Sequence, residues 1–227
     1  MTSDECSRSL TTLRWVPDMV SGLVRDIRVR WALEEAGLPY RIETVDFGEK
    51  DLPAYRILQP FGQVPVYRDG DVTMFESGAI VHHIAMQSAN LMPNDAQGRA
   101  HTLEWMFAAL NSIEPVVVPL AEIDLFEPDA GWARAQRPAV LTRLESKLAD
   151  LDRVLAGRAY LISQFTGADI LMATVLNILR HTTVVAQYPH LAAYHQRCLA
   201  RPAAQKAAAD QRAFFAAAAA PDPDPTR

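Results

Sequence analysis

The stretch LQPFGQVPVYRDGDVTMFESGAIVHHIA, residues 58–85, decides the fold. Residues 64–67 read as a short apolar strand, Asp69-Gly70 as a hairpin turn, and residues 72–75 as the returning strand. A helix follows over 76–88. Two places in it carry chemistry. Pro65 enters a strand in which it has no N–H to donate. If the Val64–Pro65 bond is cis, Val64 turns its free backbone N–H and C=O outward, where an extended peptide can pair with them. The plainer alternative is a trans proline in a strand-edge turn, since cis accounts for only about 5–6% of X–Pro bonds. Glu76-Ser77 stands at the strand-to-helix junction. There the unpaired N–H groups of a helix start bind carboxylates, Ser77 adds a hydroxyl, and Glu76 can accept from an ammonium group. Standing alone, the plainer reading is the better one: Ser77 as an N-cap and Glu76 as a first-turn acid.

Upstream, residues 10–15 (LTTLRW) read as a strand and 16–24 as a loop holding Pro17, Asp18, Ser21 and Gly22. A helix is predicted over 25–36, closed by Gly37 and Pro39. Residues 40–47 (YRIETVDF) alternate as a second strand. Residues 51–58 read as a short helix or an irregular segment. The order β-α-β-(α)-β-β-α over 10–90 predicts a compact α/β layer with a mixed sheet.

Downstream the texture becomes helical. Helices are predicted over 98–112, 134–155, 168–181 and 188–200, with Pro115 and Pro119 kinking or ending the first and Pro202 stopping the last. Residues 91–215 therefore read as an all-α domain. Residues 1–9 are expected to be flexible and the Pro-Asp tail 216–227 disordered. Thr166 and Asp169 are spaced as a capping box.

The chain has 227 residues, 22 Lys+Arg against 27 Asp+Glu, and a net charge of −5. No broad basic surface is implied, which disfavours nucleic acid as a partner. No secretory h-region and no apolar run of about 18 residues stands out, so no membrane segment is expected. The two cysteines, Cys6 and Cys198, exclude a disulfide framework and form no CxxC. No metal site is expected, and a reducing, cytoplasmic compartment fits.

The segments RWALEEAGLPY, LQPFGQVPVYRDGDVTMFESGAIVHHIA, FTGADILMATVL and YPHLAAYHQRCLARPAAQKA stand in the order and spacing of one family. In them the chain resembles the cytosolic, bacterial-type glutathione transferases over about residues 10–209. The resemblance implies a thioredoxin-like N-terminal domain, an all-α C-terminal domain, a homodimer and a cis Val64–Pro65 bond. It implies that Val64 pairs its backbone with the cysteinyl part of glutathione, that Glu76 and Ser77 hold the γ-glutamyl end, and that Gln63 lies in the same site. Lys50 is a candidate for the glycyl carboxylate. Trp15, Trp105, Met106 and Asn111 are candidates for the pocket of the electrophile, and the Thr166–Asp169 box is a structural feature of the family.

The family places a Tyr, Ser or Cys after the first strand to favour the glutathione thiolate. Here the loop from Trp15 to Arg25 has neither Tyr nor Cys. Ser21 is its one hydroxyl, and Arg25 can supply positive charge; backbone N–H groups at the helix start are a third option. The expected activity is glutathione-dependent transfer to a small apolar electrophile, a detoxification chemistry with glutathione as co-substrate. The alternatives are a non-catalytic glutathione- or ligand-binding protein and a glutathione-dependent disulfide or peroxide reductase.

Overall fold

Strand β1 (Arg8–Leu13) is an inner strand of a four-stranded sheet ordered β2-β1-β3-β4. It pairs in parallel with β2 (Arg41–Val45) and antiparallel with β3 (Val66–Asp69), which in turn pairs antiparallel with β4 (Val72–Phe75). This structure is a computed structural model that describes residues 7–218; residues 1–6, with Cys6, and 219–227 lie outside the described residues. Within them, Arg8 and Ser9 already sit in β1, so the flexible N-terminus expected over 1–9 does not extend that far.

β3 begins two residues later than the sequence suggests, because Pro65 has no N–H for the ladder. Asp69 pairs with Val72, so the hairpin loop is Gly70-Asp71, with Gly70 supplying a left-handed φ of 58°. The parallel β1–β2 pair needs a crossover, which α1 (Asp26–Ala36) supplies; Gly37 at φ 66° ends that helix. One face of the sheet, with Leu10 and Tyr67, packs under α1 and α3 (Ser77–Ala85). The other, with Val45 and Val66, meets Tyr55 of the short α2 (Pro53–Arg56). Neighbours Val66 and Tyr67 go to opposite faces, as strand alternation requires.

No strand follows β4 among the described residues. α4 (Ala96–Ala108) runs through a π turn, Ala109–Ile113, into α5 (Glu114–Ala121) and a second π turn, Glu122–Phe126. Pro115 and Pro119 were expected to break this run, yet it stays helical throughout. A proline clashes with the carbonyl four residues back, and for Pro115 that residue, Asn111, lies within the π turn, where the ladder is already re-registered. By length and apolar composition Ala96–Phe126 would pass as a membrane span. Its Met106, Ile113, Val117 and Leu120 are instead buried in the common core, as in the central helix of a packed domain.

α6 (Gly131–Leu155) lays Val140, Leu144, Leu148, Leu151 and Leu155 into that core. α7 (Gly167–Asn177) is buried on all sides and continues as a 3₁₀ turn, Ile178–His181. α8 (Pro189–Leu199) follows. Pro202 does not merely stop α8: it opens α9 (Pro202–Ala217) from the N1 position, where its missing N–H costs nothing. The disordered tail expected from 216 therefore overlaps the end of an alanine-rich helix, and its remainder lies outside the described residues.

α9 packs on α1 through buried Ala204, Ala207, Gln211 and Phe215. Gln211 donates to the buried Asp26 carboxylate, which also receives Arg30 at 2.7 Å. Arg201 makes a two-pronged pair with Glu35 of α1 at 2.6 and 2.7 Å and lies over the Phe165 ring. The helical domain is thus built against the helix that carries the site.

Candidate functional site

The site forms where α1, α3 and the segment before β3 converge. The Val64–Pro65 peptide bond is cis. The segment leading to it is held from below: Tyr55 Oη donates to Gln63 O at 2.8 Å, and buried Gln59 accepts the Phe61 N–H at 2.7 Å. Eleven residues after Pro65, Glu76 is the one non-glycine residue at positive φ among the described residues, at φ 70° and ψ 109°. Such a conformation costs about 1–3 kcal/mol and persists only where the surroundings impose it. Its carboxylate stays exposed beside the start of α3, while Ser77 is 4% exposed. Gly78 lets α3 come close to the π turn, since a Cβ there would stand 2.4 Å from Leu110 Cδ1.

Behind Ser77 runs a line of charge. Arg28 of α1, 3% exposed, donates through Nη1 to Ser77 Oγ at 3.2 Å and pairs through Nη2 with Glu114 Oε1 at 3.0 Å. Arg25 pairs with the same Glu114 oxygen at 2.8 Å and is itself 45% exposed in its side chain. Burial alone would raise the Glu114 carboxyl, but Arg28 and Arg25 together hold it below the usual carboxylate range. Burial pulls Arg28 below its ordinary value, opposed by Glu114. Because Ser77 Oγ accepts from Arg28, its own O–H remains free to donate.

Two cavities meet at this line. The larger, ≈ 990 Å³, runs past Gln63, Val64, Pro65, Glu76 and Ser77. Its outer end reaches Met86, Leu103 and Phe107. The smaller, ≈ 430 Å³, is lined by Leu13, Val20, Leu23, Leu125, Phe126 and Ile178, with Lys50 beside them. Arg25, Arg28, Gln63, Val64 and Glu114 line both.

The structure therefore brings together Arg25, Lys50, Gln63, Val64, Pro65, Glu76 and Ser77, together with Met106 and Asn111 on the wall of the larger cavity. It does not bring in three other candidates. Ser21 lines neither cavity: its neighbours Val20 and Gly22 do, and its carbonyl is turned to Arg180. Trp15 lines neither. Trp105 lies on another face of α4, in a separate cleft with His101 and Arg158, because its neighbour Met106 takes the inward position. Lys50 is paired with Asp51 at 3.3 Å.

Sequence reasoning missed Arg28 and Glu114, since an i,i+3 arginine pair and a glutamate before a proline both look like surface charge. It also missed the apolar walls of the smaller cavity, which come from four distant segments. His83 pairs with Asp69 at 3.1 Å, and Cys198 is a buried free thiol whose pKa burial pushes far up. Among the described residues no group of three or more His, Cys, Asp or Glu could hold a metal. Thr166 and Asp169 line neither cavity and do form a capping box: Asp169 accepts the Thr166 N–H at 2.8 Å.

A mixed βαβ-ββα sheet, a cis-proline edge and a helix start facing a cleft roofed by a helical domain define the glutathione transferase fold. The chain belongs to the glutathione S-transferase family: its N-terminal domain model matches residues 19–86 and its C-terminal domain model matches residues 117–202. It is 31% identical over 193 residues to glutathione S-transferase 4 of Zea mays, covering 80% of this chain and 86% of that one. It is 33% identical over 199 residues to a glutathione S-transferase of Hyoscyamus muticus, covering 80% and 91%. A theta class glutathione S-transferase of Xanthomonas axonopodis pv. citri, solved with glutathione bound, superposes with a TM-score of 0.77 at 31% identity, covering 89% and 97%. A Pseudomonas putida glutathione transferase holding glutathione disulfide shares the fold with a TM-score of 0.78 at 23% identity, covering 91% and 93%.

Proposed function

We propose that this chain is a glutathione-dependent transferase in which Arg25, not a hydroxyl, favours the thiolate. The observation that carries this is the position of Arg25: a half-exposed guanidinium, held by Glu114, at the junction of the two cavities. Glutathione lies in the larger cleft and extends past Gln63 and Val64 to Lys50 at the edge of the smaller cavity. Its α-carboxylate meets the Ser77 hydroxyl and the free N–H groups of the α3 start, and its ammonium meets Glu76. Its cysteinyl backbone pairs with Val64, Gln63 lies beside it, and Lys50 takes the glycyl carboxylate.

That pose puts the sulfur beside Arg25 and the first turn of α1. A free thiol has a pKa near 8.5, and lowering it by about two units requires about 2.7 kcal/mol. One or two charge-assisted hydrogen bonds supply that much. The thiolate then attacks an apolar electrophile in the smaller cavity, between Leu23, Phe126 and Ile178. Met106 and Asn111 border the glutathione side of the cleft. Met86, Leu103 and Phe107, 54%, 40% and 57% exposed at the outer end of the larger cavity, suit burial in a homodimer. A reducing, cytoplasmic setting suits a reaction that depends on a free thiol.

Calorimetry with glutathione, followed by thiolate absorbance titration, tests the reading. The wild type is expected to bind glutathione with its thiol pKa lowered. Arg25→Met should raise that pKa by at least about one unit, whereas Ser21→Ala should leave it unchanged. Absence of binding at millimolar glutathione overturns the transferase. Binding with an unshifted thiol leaves a carrier. A rise in Ser21→Ala alone returns the role to the hydroxyl.

A further inference from the structure

Arg180 lies in the 3₁₀ turn that continues α7, and it reaches 159 positions back along the chain. Its Nη2 donates to Ser21 O at 2.7 Å and to Met19 O at 3.1 Å. The guanidinium lies directly over Gly22, where a Cβ would stand 2.8 Å from Arg180 Nη1. Gly22 is also at φ 83°, a conformation that disfavours any side chain. Among the described residues no carboxylate pairs with Arg180, so its charge is directed at main-chain carbonyls. Gln211 of α9 adds a bond to Val24 O at 3.2 Å. The segment between β1 and α1 is therefore tied to the helical domain at three carbonyls.

That segment is also a wall. Val20, Gly22, Leu23 and Val24 line one side of the smaller cavity, and Thr174 and Ile178, on the helical run that carries Arg180, line another. We propose that Arg180 is a positioning residue that sets the gap between these two walls and thereby selects which electrophile fits. This rests on the reading above that the smaller cavity receives the electrophile. The physical basis is that a loop wall without ties samples many widths, whereas charged donors on its carbonyls select one. Glycine at position 22 is what allows the strut to lie flat on the turn.

The test compares wild type, Arg180→Met and Arg180→Lys by hydrogen–deuterium exchange and by kinetics with 1-chloro-2,4-dinitrobenzene and the bulkier phenethyl isothiocyanate. In Arg180→Met, peptides covering 16–24 should exchange about tenfold faster while α7 is unchanged. The kcat/KM ratio between the two electrophiles should shift by at least about fivefold, with the KM for glutathione within about twofold. Arg180→Lys should recover much of both effects. Unchanged exchange over 16–24, or an equal fall for both electrophiles and glutathione, overturns the proposal. If Arg180→Met fails to fold, Gly22→Ala displaces the strut from the other side and is read by the same two outcomes. A wild type that binds no glutathione removes the transferase reading, yet the exchange of 16–24 still decides whether Arg180 braces the loop.

Discussion

Glu76 concentrates a conflict between stability and binding in one residue. Its backbone sits at φ 70°, which glycine adopts freely, yet under the proposed function its side chain is the carboxylate that meets the ammonium group of glutathione. Glu76→Gly should therefore raise stability by about 0.5–1 kcal/mol, the relieved strain exceeding the added chain entropy. The same change should weaken glutathione binding by about tenfold, the loss of one charge-assisted bond. Glu76→Ala should lose the binding without gaining the stability. Thermal melts and calorimetry on the two variants check both signs. Arg28 and Glu114 make a different point at this scale. Removing Glu114 leaves the buried Arg28 without its carboxylate, a loss of about 3–5 kcal/mol, whereas removing Arg28 leaves Glu114 its Arg25 partner and should cost less. Neither was legible in the sequence, because a charged side chain announces its partner only after the chain has folded.

Elements were legible where local rules decide them. β4 spans Val72–Phe75 as the hairpin turn before it suggests, and α7 starts at the capping box that Thr166 and Asp169 spell out. In the fold that box acquires further partners. Asp169 accepts from Leu161 N at 3.0 Å and Tyr194 Oη at 3.1 Å, while burial pushes its carboxyl up to about 6. Every neighbour of that carboxylate is a donor. Asp169→Asn presents an amide to them and should cost about 2–4 kcal/mol by denaturant unfolding, against about 1 kcal/mol for Thr166→Ala. Glutathione binding per folded molecule should be unchanged in both. Elements went unread where tertiary contacts override local signals. Pro115 looks like a breaker, yet the π turn ahead of it absorbs the misfit and delivers Glu114 to the site. Pro202 looks like a stop, yet it opens α9, whose Gln211 reaches Asp26 on α1.

At the scale of the whole molecule, the two layers share one core and several buried polar ties. Asp26, Arg30 and Gln211 join α1 to α9, Arg201 joins Glu35, and Arg180 joins the loop before α1. Calorimetric unfolding should therefore be a single transition with equal calorimetric and van't Hoff enthalpies. Two resolved transitions would show that the thioredoxin-like layer and the helical layer are independent. The sequence by itself determined the order of strands and helices, the helix start at Glu76-Ser77 and the capping box, because each depends on residues a few positions apart; the cis Val64–Pro65 bond followed only from the family resemblance. Only the tertiary structure decided which group stands at the junction of the two cavities. Ser21, the residue the sequence favours, and Arg25 are four residues apart. The ties from Arg180 and Glu114, 159 and 89 positions away, turn the first aside and hold the second in place.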